Sequence, residues 1–498
     1  MDAIETLKED VRQGRIDANR LVDLVVALQR QLHAANQRLA QLEKQLGGSP
    51  TAKVDEPFSV RAEEQRQQAR SPKKRKRPRP GRRGRLRTRD KIAQAERTES
   101  VYPEGVPPEA CQQSHVRPVW RLENGRAVLV AYHIYRGPND RYGQIPGVLG
   151  RSEFGLEIVT EIAYLVYLVG LSFDQVCLLL NFFQGLRLRK SQADALLYRL
   201  SRHWQHEFDV LCTLLANSLV VHADETRWSL NSVWALLSEK ARLLLFGVPK
   251  DAETLKQVLD PATFAGIVIS DDAAVYANFS AAQKCWAHLL RKAIKLTLQD
   301  AASAEYRGFT DRLLALYHEA CRVQRDRRLG DAGRARKVAV LEDALLDLCA
   351  PRWFAELPPG EGLDADYRRL VHEVMRLALA RELFTFVTAP PVEQPNGTTQ
   401  PVAGTNNEAE RTLRDAARAR KAGRTSKTHA GARRQTVVTS VLESLRLYLT
   451  TFTLSSVLAE LQRWWASGRS CFVELLERLQ LPRPEQFPLD QVLPQPSG

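Results

Sequence analysis

Three acidic residues, far apart in the sequence, are placed where their carboxylates could share divalent metal ions. Asp224 and Asp271 each follow a short apolar run typical of a buried strand, and Glu410 lies near the start of a predicted helix. Carboxylates are hard oxygen ligands that suit Mg²⁺ and Mn²⁺. Two such ions, about 3.5–4 Å apart, can activate an attacking oxygen and stabilise a leaving oxygen in phosphoryl transfer. The pattern predicts such a site, although strand-end acids are often simple turn residues.

Other acids compete with these three for the role of metal ligand. Glu225 and Asp272 adjoin the aspartates, but successive residues at a strand end face opposite ways, so one of each pair should point away. Thr405 and Glu408 have the spacing of a capping box, in which two side chains bond backbone amides at a helix N-terminus. Capping would account for Glu408, so Glu410, in the second turn, is the predicted metal ligand.

The elements that must position these acids follow from the change of hydrophobic period along the chain. Residues 219–287 have the predicted order βββαβαβ, with the aspartates at the ends of the first and fourth strands. Asp271 follows Asp224 by 47 positions, which accommodates the intervening elements of an RNase H-like fold. Glu410 follows 139 positions later, so an insertion is required, and residues 288–388 are helical in pattern. The predicted fold is α+β or α/β: an RNase H-like catalytic domain with a mixed five-stranded sheet, interrupted by an all-helical insertion.

The region before this domain has three parts of different character. Apolar residues recur at sevenfold spacing in residues 21–46, which predicts a short coiled coil and a homodimer or higher oligomer; an amphipathic helix packed on its own domain is the alternative. A hairpin is predicted at 116–136, around Asn124-Gly125. Helices are predicted at 157–169, 173–183 and 192–208. The last two, joined by a Gly-containing turn, resemble a helix-turn-helix that contacts DNA, with plain packing as the alternative.

Positive charge is concentrated in one stretch. Residues 70–91 carry 13 Lys and Arg and one acid, hence +12 of the net +14 of the chain. Such a run binds polyanions in a salt-dependent way, contacting phosphates without selecting bases; a solubilising or targeting run is the alternative. The residues expected to contact DNA there are Lys73, Lys74, Arg75, Lys76, Arg77, Arg82, Arg83 and Arg85.

Cysteine use and hydropathy predict the compartment. The seven cysteines are scattered without a Cys-x-x-Cys pair, so neither a disulfide framework nor a zinc ribbon is indicated. The N-terminus lacks a signal-peptide pattern, and the apolar runs are shorter than the roughly 18 residues a membrane span needs. We expect a cytoplasmic, nucleoid-associated protein with no membrane partner.

Four ordered motifs between residues 173 and 447 resemble those of one protein family. They are His222-Ala223-Asp224-Glu225-Thr226; Ser270-Asp271 with Tyr276; Cys285-Trp286-Ala287-His288 with Arg291-Lys292; and Asn406-Asn407-x-x-Glu410-Arg411 with Arg420-Lys421. The chain resembles the transposases of the insertion sequence 66 family (TnpC-like), which are DDE enzymes. The coiled coil and basic linker are similar to that family's layout.

The resemblance implies a DNA transposase that cleaves strands at element ends and joins the 3′-hydroxyl to target DNA. It implies Asp224, Asp271 and Glu410 as catalytic residues that hold two Mg²⁺ or Mn²⁺ ions. The expected partners are double-stranded DNA, as element ends and target, and accessory transposition proteins. Further residues expected at the site are Cys285, His288, Asn406 and Asn407 in supporting roles, and Arg411, Arg414, Arg420 and Lys421 in DNA binding.

One departure from the family concerns zinc. Its members usually carry a Cys-rich zinc-binding segment after the basic linker, where this chain has only Cys111, His115 and His133. A closed structural zinc site needs four close ligands, so no zinc is expected. Two other functions stay open: a catalytically silent DNA-binding regulator derived from a transposase, and an RNase H-like host nuclease.

The predicted boundaries follow from these segments. They are 1–48, coiled-coil helix; 49–100, disordered basic linker; 101–155, small β-hairpin region; 156–212, helix-turn-helix-like region; 213–288, first part of the catalytic core; 289–400, helical insertion; 401–480, second part of the core with C-terminal helices; and 481–498, Pro-rich tail.

Overall fold

The computed structural model describes residues 87–353, 362–484 and 486–487. The predicted coiled coil, the basic residues 73–85 and nearly all of the Pro-rich tail lie outside the described residues. Within them, no helix is long and apolar enough to cross a membrane.

A small sheet begins the described chain. Helix α1 (Thr88–Ile92) precedes it. The sheet consists of strands β1 (Arg97–Val101), β2 (Gln112–Glu123) and β3 (Arg126–Arg136), in the order β1-β3-β2. The predicted hairpin is confirmed, and Asn124 and Gly125 have positive φ angles of 48° and 75°, as a two-residue hairpin turn requires. Residues 88–100 were predicted to belong to a disordered linker, but β1 pairs parallel to β3 there.

Four helices connect this sheet to the central one. They are α2 (Leu156–Ala163), which continues as a π-helical turn Tyr164–Leu168, α3 (Phe173–Gln184), α4 (Lys190–His203) and α5 (Gln205–Ala216). The prediction of a single helix over 192–208 is wrong, because the helix is interrupted at Trp204, whose ring is buried. The predicted turn between α3 and α4 begins at Gly185, which adopts the left-handed conformation that favours glycine.

The central sheet has five strands and mixed pairing, as predicted. Its elements are β4 (Val220–Arg227), β5 (Ser232–Ser238), β6 (Arg242–Val248), helix α6 (Ala252–Val258), β7 (Ile267–Ser270) and β8 (Ala282–Lys284). The strand order is β6-β5-β4-β7-β8; β4, β5 and β6 are antiparallel, whereas β4, β7 and β8 are parallel. The predicted helix at 274–279 is a 3₁₀ turn, Ala274–Tyr276. The last strand was predicted to reach residue 287 but ends at Lys284, because Cys285 already caps the next helix.

A helical insertion follows β8. It comprises α7 (Trp286–Gln299), α8 (Ala304–Arg325), α9 (Asp331–Trp353), α10 (Gly362–Leu379) and α11 (Thr385–Thr388), followed by a short hairpin of β9 (Val392–Glu393) and β10 (Thr399–Gln400) in a region predicted as loop. The insertion is tied to the sheet by buried hydrogen bonds. Gln283 of β8 donates to the carbonyl of Leu383 at 3.0 Å, and its side-chain oxygen accepts from the amide of Phe386 at 3.0 Å. The helices are therefore anchored beside the ends of the parallel strands.

The chain ends in four helices, α12 (Asn407–Lys421), α13 (His429–Tyr448), α14 (Leu454–Ser467) and α15 (Cys471–Arg478). Helix α13 covers the exposed edge of β6 with side-chain hydroxyls. The amides of Arg242, Leu244 and Phe246 donate to Ser444, Ser440 and Thr436 respectively, each at 2.9 Å. These hydroxyl groups satisfy edge amides that would otherwise be free to pair with another chain.

Candidate active site

The register of the central sheet places the two aspartates side by side. Strands β4 and β7 pair Val220 with Ile267, Val221 with Val268 and His222 with Ile269, a constant offset of 47 positions. The same offset separates Asp224 from Asp271. Residues in register on adjacent parallel strands share a face and are about 4.8 Å apart between strands. The aspartates therefore meet where β7 ends.

The predicted location of Asp224 needs one correction. It was expected at the end of its strand, but β4 continues to Arg227 because antiparallel pairing with β5 extends that far. What ends near Asp224 is the parallel pairing with β7, whose last pair is His222 with Ile269. Asp224 thus lies at the edge of the parallel part of the sheet.

The third acid, Glu410, comes from α12. It lies in the first turn of this helix, not the second as predicted, and its side chain is only 20% exposed. Burial, followed by the negative charges of Glu225, Asp271 and Glu410, raises the pKa of Asp224 to about 7. The structure therefore brings the three predicted acids within electrostatic range of one another.

The predicted capping box at this helix is wrong. The residue before α12 is Asn406, which makes no side-chain cap, and Glu408 forms an ion pair with Arg242. Asn406 is instead a buried junction. Its side-chain amide donates to the carbonyl of Ala223 at 2.8 Å, and its backbone amide donates to the Cys285 sulfur at 3.1 Å. One residue thus links α12 to β4 and to the start of α7.

The two competing acids have partners of their own. Glu225, whose side chain is 2% exposed, accepts a hydrogen bond from the Tyr276 hydroxyl and pairs with Lys250. Asp272 forms an ion pair with Arg376 from the insertion. Asp224 and Asp271 have no ion-pairing cation among the described residues, so their charges remain open to an exogenous one.

Two supporting residues lie beside Glu410. Cys285, His288 and Glu410 each place a potential metal-ligating atom within 4.8 Å of the others. His288 Nδ1 is 3.6 Å from Glu410 Oε1, and Arg291 donates to the same oxygen at 2.6 Å. Burial raises the pKa of the Cys285 thiol. Of the other supporting residues predicted, Asn407 is exposed, and its carbonyl accepts from Arg411.

The donor set fits hard divalent cations. Three carboxylates lie within electrostatic range of one another, and burial followed by their negative charge raises the pKa of Asp224. A divalent cation would relieve that repulsion, and oxygen ligands are those that Mg²⁺ and Mn²⁺ prefer. The residues present are therefore chemically suited to the metal ions that the sequence motifs predict.

The basic residues predicted to contact DNA differ in their placement. Arg411, Arg414 and Lys421 are exposed on α12, in the same helix as Glu410. Arg420 instead donates to the backbone carbonyl of Arg227 at 2.8 Å and holds the end of α12 against β4. The eight basic residues predicted at 73–85 lie outside the described residues.

A cleft of about 690 Å³ adjoins Asp271 and was not predicted. It extends from Asp271 and His288 to Trp353 and His372 of the insertion, whose ring centroids are 4.6 Å apart. Lys292 and Arg376 line it as well. Helical periodicity in the insertion indicates which residues are buried, but it does not reveal which of the remaining ones face the sheet.

Comparison with known proteins identifies the family of this chain. A search of curated proteins found no match. The family model described as Transposase IS66 family matches residues 151–434, more than half of the chain, and that span contains all three acids and the insertion. The chain belongs to the IS66 family of transposases.

Proposed function

We propose that this protein is a DDE-type DNA transposase that cuts strands at the ends of an insertion sequence and joins the freed 3′-hydroxyl to target DNA. The observation that supports the proposal is that Asp224 lies in the same strand register as Asp271 and within electrostatic range of Glu410. Family membership supports it. The strand order β6-β5-β4-β7-β8, with three antiparallel strands followed by two parallel ones, supports an RNase H-like catalytic domain.

In this proposal Asp224, Asp271 and Glu410 hold two Mg²⁺ or Mn²⁺ ions. When bound, such ions activate the attacking oxygen and stabilise the leaving one. The protein's own contribution is positioning. Parallel pairing fixes the two aspartates, while Asn406 and Arg291 orient the helix start and the carboxylate of Glu410.

DNA binding is assigned to groups around this edge and to the N-terminal arm. The exposed Arg411, Arg414 and Lys421 would contact backbone phosphates near the cut, because they share a helix with Glu410. The basic run at 73–85 and the α3–α4 pair would bind the element end and target DNA. The heptad segment would join two subunits, so that both element ends are held together, and accessory transposition proteins remain expected partners.

The first prediction tests the three acids. Asp224→Asn, Asp271→Asn and Glu410→Gln should each reduce Mg²⁺-dependent nicking of an end-containing duplex at least about 1,000-fold, because each removes a carboxylate that would hold the metal ions whose positive charge stabilises the transition state. Binding to the same duplex should stay within about twofold. A nicking and joining assay on labelled DNA, with a parallel mobility-shift measurement, gives both quantities.

Asp415→Asn is the matched control, because Asp415 is on the same helix but its side chain is 70% exposed. It should retain wild-type cleavage. Normal cleavage by any of the three test variants would refute the role of that residue. Binding without cleavage by the wild type would favour a silent regulator, and cleavage without 3′-end joining would favour a host nuclease.

A further inference from the structure

Cys285, His288 and Glu410 have the chemistry of a second kind of metal site. We propose that they bind a borderline divalent ion such as Zn²⁺, and that this ion draws Glu410 away from Asp224 and Asp271 and so inhibits strand cleavage. The inhibition rests on the proposed function, whereas the ion binding does not.

The geometry suits a single ion. The three ligand atoms lie within 4.8 Å of one another, and His288 Nδ1 is 3.6 Å from Glu410 Oε1. Two ligand atoms on one tetrahedral zinc ion, with bonds of about 2.0–2.2 Å, are separated by about 3.4 Å. Small side-chain rotations would therefore complete the site. Three protein ligands leave a fourth position for water, as in zinc sites that are not purely structural.

The donor set favours a softer ion than Mg²⁺. Thiolate and imidazole are ligands for Zn²⁺ and other late divalent ions, whereas Mg²⁺ takes oxygen ligands. His288 Nδ1 is also a buried polar atom without a hydrogen-bond partner among the described residues. An unsatisfied buried acceptor is costly, and a metal ion beside Glu410 would satisfy it.

The surroundings of the cluster hold two of the ligands and can release the third. The backbone amide of Asn406 donates to the Cys285 sulfur at 3.1 Å, which holds the sulfur in place. Cys285 directly precedes α7 and His288 lies in its first turn, so both are carried by one rigid helix start. Arg291 donates to Glu410 but is 54% exposed, so its guanidinium can withdraw into solvent when a cation arrives.

Glu410 belongs to both ligand sets, and this is why the two sites compete. A carboxylate drawn towards Cys285 and His288 cannot hold its place beside Asp224 and Asp271. Micromolar Zn²⁺ should then inhibit Mg²⁺-dependent cleavage in a manner that excess Mg²⁺ relieves only weakly.

The binding experiment uses Co²⁺, which reports a thiolate ligand by a charge-transfer absorption band. Titration of the full-length wild-type protein should give this band with one equivalent of Co²⁺. Cys285→Ser should abolish it, and His288→Gln should weaken Co²⁺ binding at least about tenfold. Cys111→Ser, which changes a cysteine directly before β2, is the matched control and should keep the band.

The inhibition experiment measures the Zn²⁺ concentration that halves each protein's own Mg²⁺-dependent cleavage rate. This concentration should rise at least about tenfold in His288→Gln, whose half-exposed side chain makes misfolding a small risk, and remain unchanged in Cys111→Ser. A Co²⁺ band that persists in Cys285→Ser, or no band in the wild type, would overturn the site. Absence of cleavage in a protein that shows the band would instead count against the proposed function alone.

Discussion

A carboxylate surrounded by other carboxylates, as Asp224 is, keeps its proton to an unusually high pH. The pKa of Asp224 rises from an ordinary value of 3.8 to about 7 through burial and the charges of Glu225, Asp271 and Glu410. If Asp224 holds metal as we propose, metal binding must displace a proton whenever the pH is below about 7. Affinity for Mg²⁺ should consequently fall with decreasing pH in that range, by up to about tenfold per unit.

This environment predicts that Asp224→Asn stabilises the metal-free protein. Because the pKa is raised in the folded state, ionisation above about pH 7 opposes folding, and the penalty fades as the pH falls towards about 4. With a chelator at pH 8, the variant's free energy of unfolding should exceed that of the wild type by about 1–3 kcal/mol, less than the full shift because solvent and relaxation screen the charges.

Urea unfolding at pH 8 and pH 5 measures this difference, which should shrink at the lower pH. Adding Mg²⁺ should reverse its sign, because only the wild type gains the ligand's binding energy. A variant less stable than the wild type at pH 8 without metal would contradict this account.

The sequence predicted the two aspartates as neighbours at adjacent strand ends, but only Asp271 follows such an end, because β4 continues to Arg227. Glu410 was selected for an incorrect reason. Glu408 is occupied by Arg242, a partner 166 positions away, and not by helix capping. No local pattern contains a contact of that range. For the same reason, the sequence did not reveal that Trp353 and His372 line the same cleft as Asp271.

Helix α13 pairs with the edge of β6 through side-chain hydroxyls that accept hydrogen bonds from strand amides. Amides alternate along one side of a strand with a repeat of about 6.8 Å, and hydroxyls four residues apart on a helix repeat every 6 Å or so. The two repeats match closely enough to form three consecutive hydrogen bonds, from Arg242–Ser444 to Phe246–Thr436. Helix α13 therefore occupies the position of a sixth strand.

The middle hydrogen bond, from the Leu244 amide to the Ser440 hydroxyl, allows a test. Ser440→Ala should lower the free energy of unfolding by about 1–3 kcal/mol, because it leaves the buried amide of Leu244 without an acceptor. Denaturant unfolding measures the loss. Ser440→Thr keeps the hydroxyl and serves as the control for loss of the hydrogen bond, and equal stability of Ser440→Ala and the wild type would show that this amide needs no partner.

Elements with a clear hydrophobic period were predicted well, and their ends less well. The predicted strands of the central sheet correspond to β4–β8, since buried strands have continuous apolar runs. The errors occur where tertiary contacts decide. A predicted helix is interrupted at Trp204, whose ring is buried. A predicted strand ends before Cys285, because α7 begins directly after that residue.

At the scale of the whole chain, the charge distribution predicts how DNA binding depends on salt. Replacing the eight residues predicted to contact DNA between 73 and 85, which are Lys73, Lys74, Arg75, Lys76, Arg77, Arg82, Arg83 and Arg85, by glutamine should reduce the slope of log affinity against log salt by up to about 7, because each neutralised phosphate contributes about 0.9. Binding to a duplex, measured over a series of salt concentrations, tests this. Changing the arginines among the eight to lysine keeps the charge and should keep the slope, and an unaltered slope in the glutamine variant would place DNA binding elsewhere.

The order of the segments was predictable because the number of residues between the acids requires an insertion. Two acids close together in sequence and a third 139 positions later require intervening helices to leave and return to the sheet. The anchoring of those helices by Gln283 was not predictable, because it depends on backbone carbonyls about 100 positions away.

This separation has a consequence for the timing of activity during synthesis. A ribosome produces Asp224 and Asp271 well before Glu410, and the segment that carries Glu410 must leave the exit tunnel before it can dock. A chain released early, by a premature stop or a frameshift within the insertion, would have two of the three acids and would be catalytically inert. Such truncated products could still occupy DNA, which would make them competitors of the complete protein translated from the same messenger.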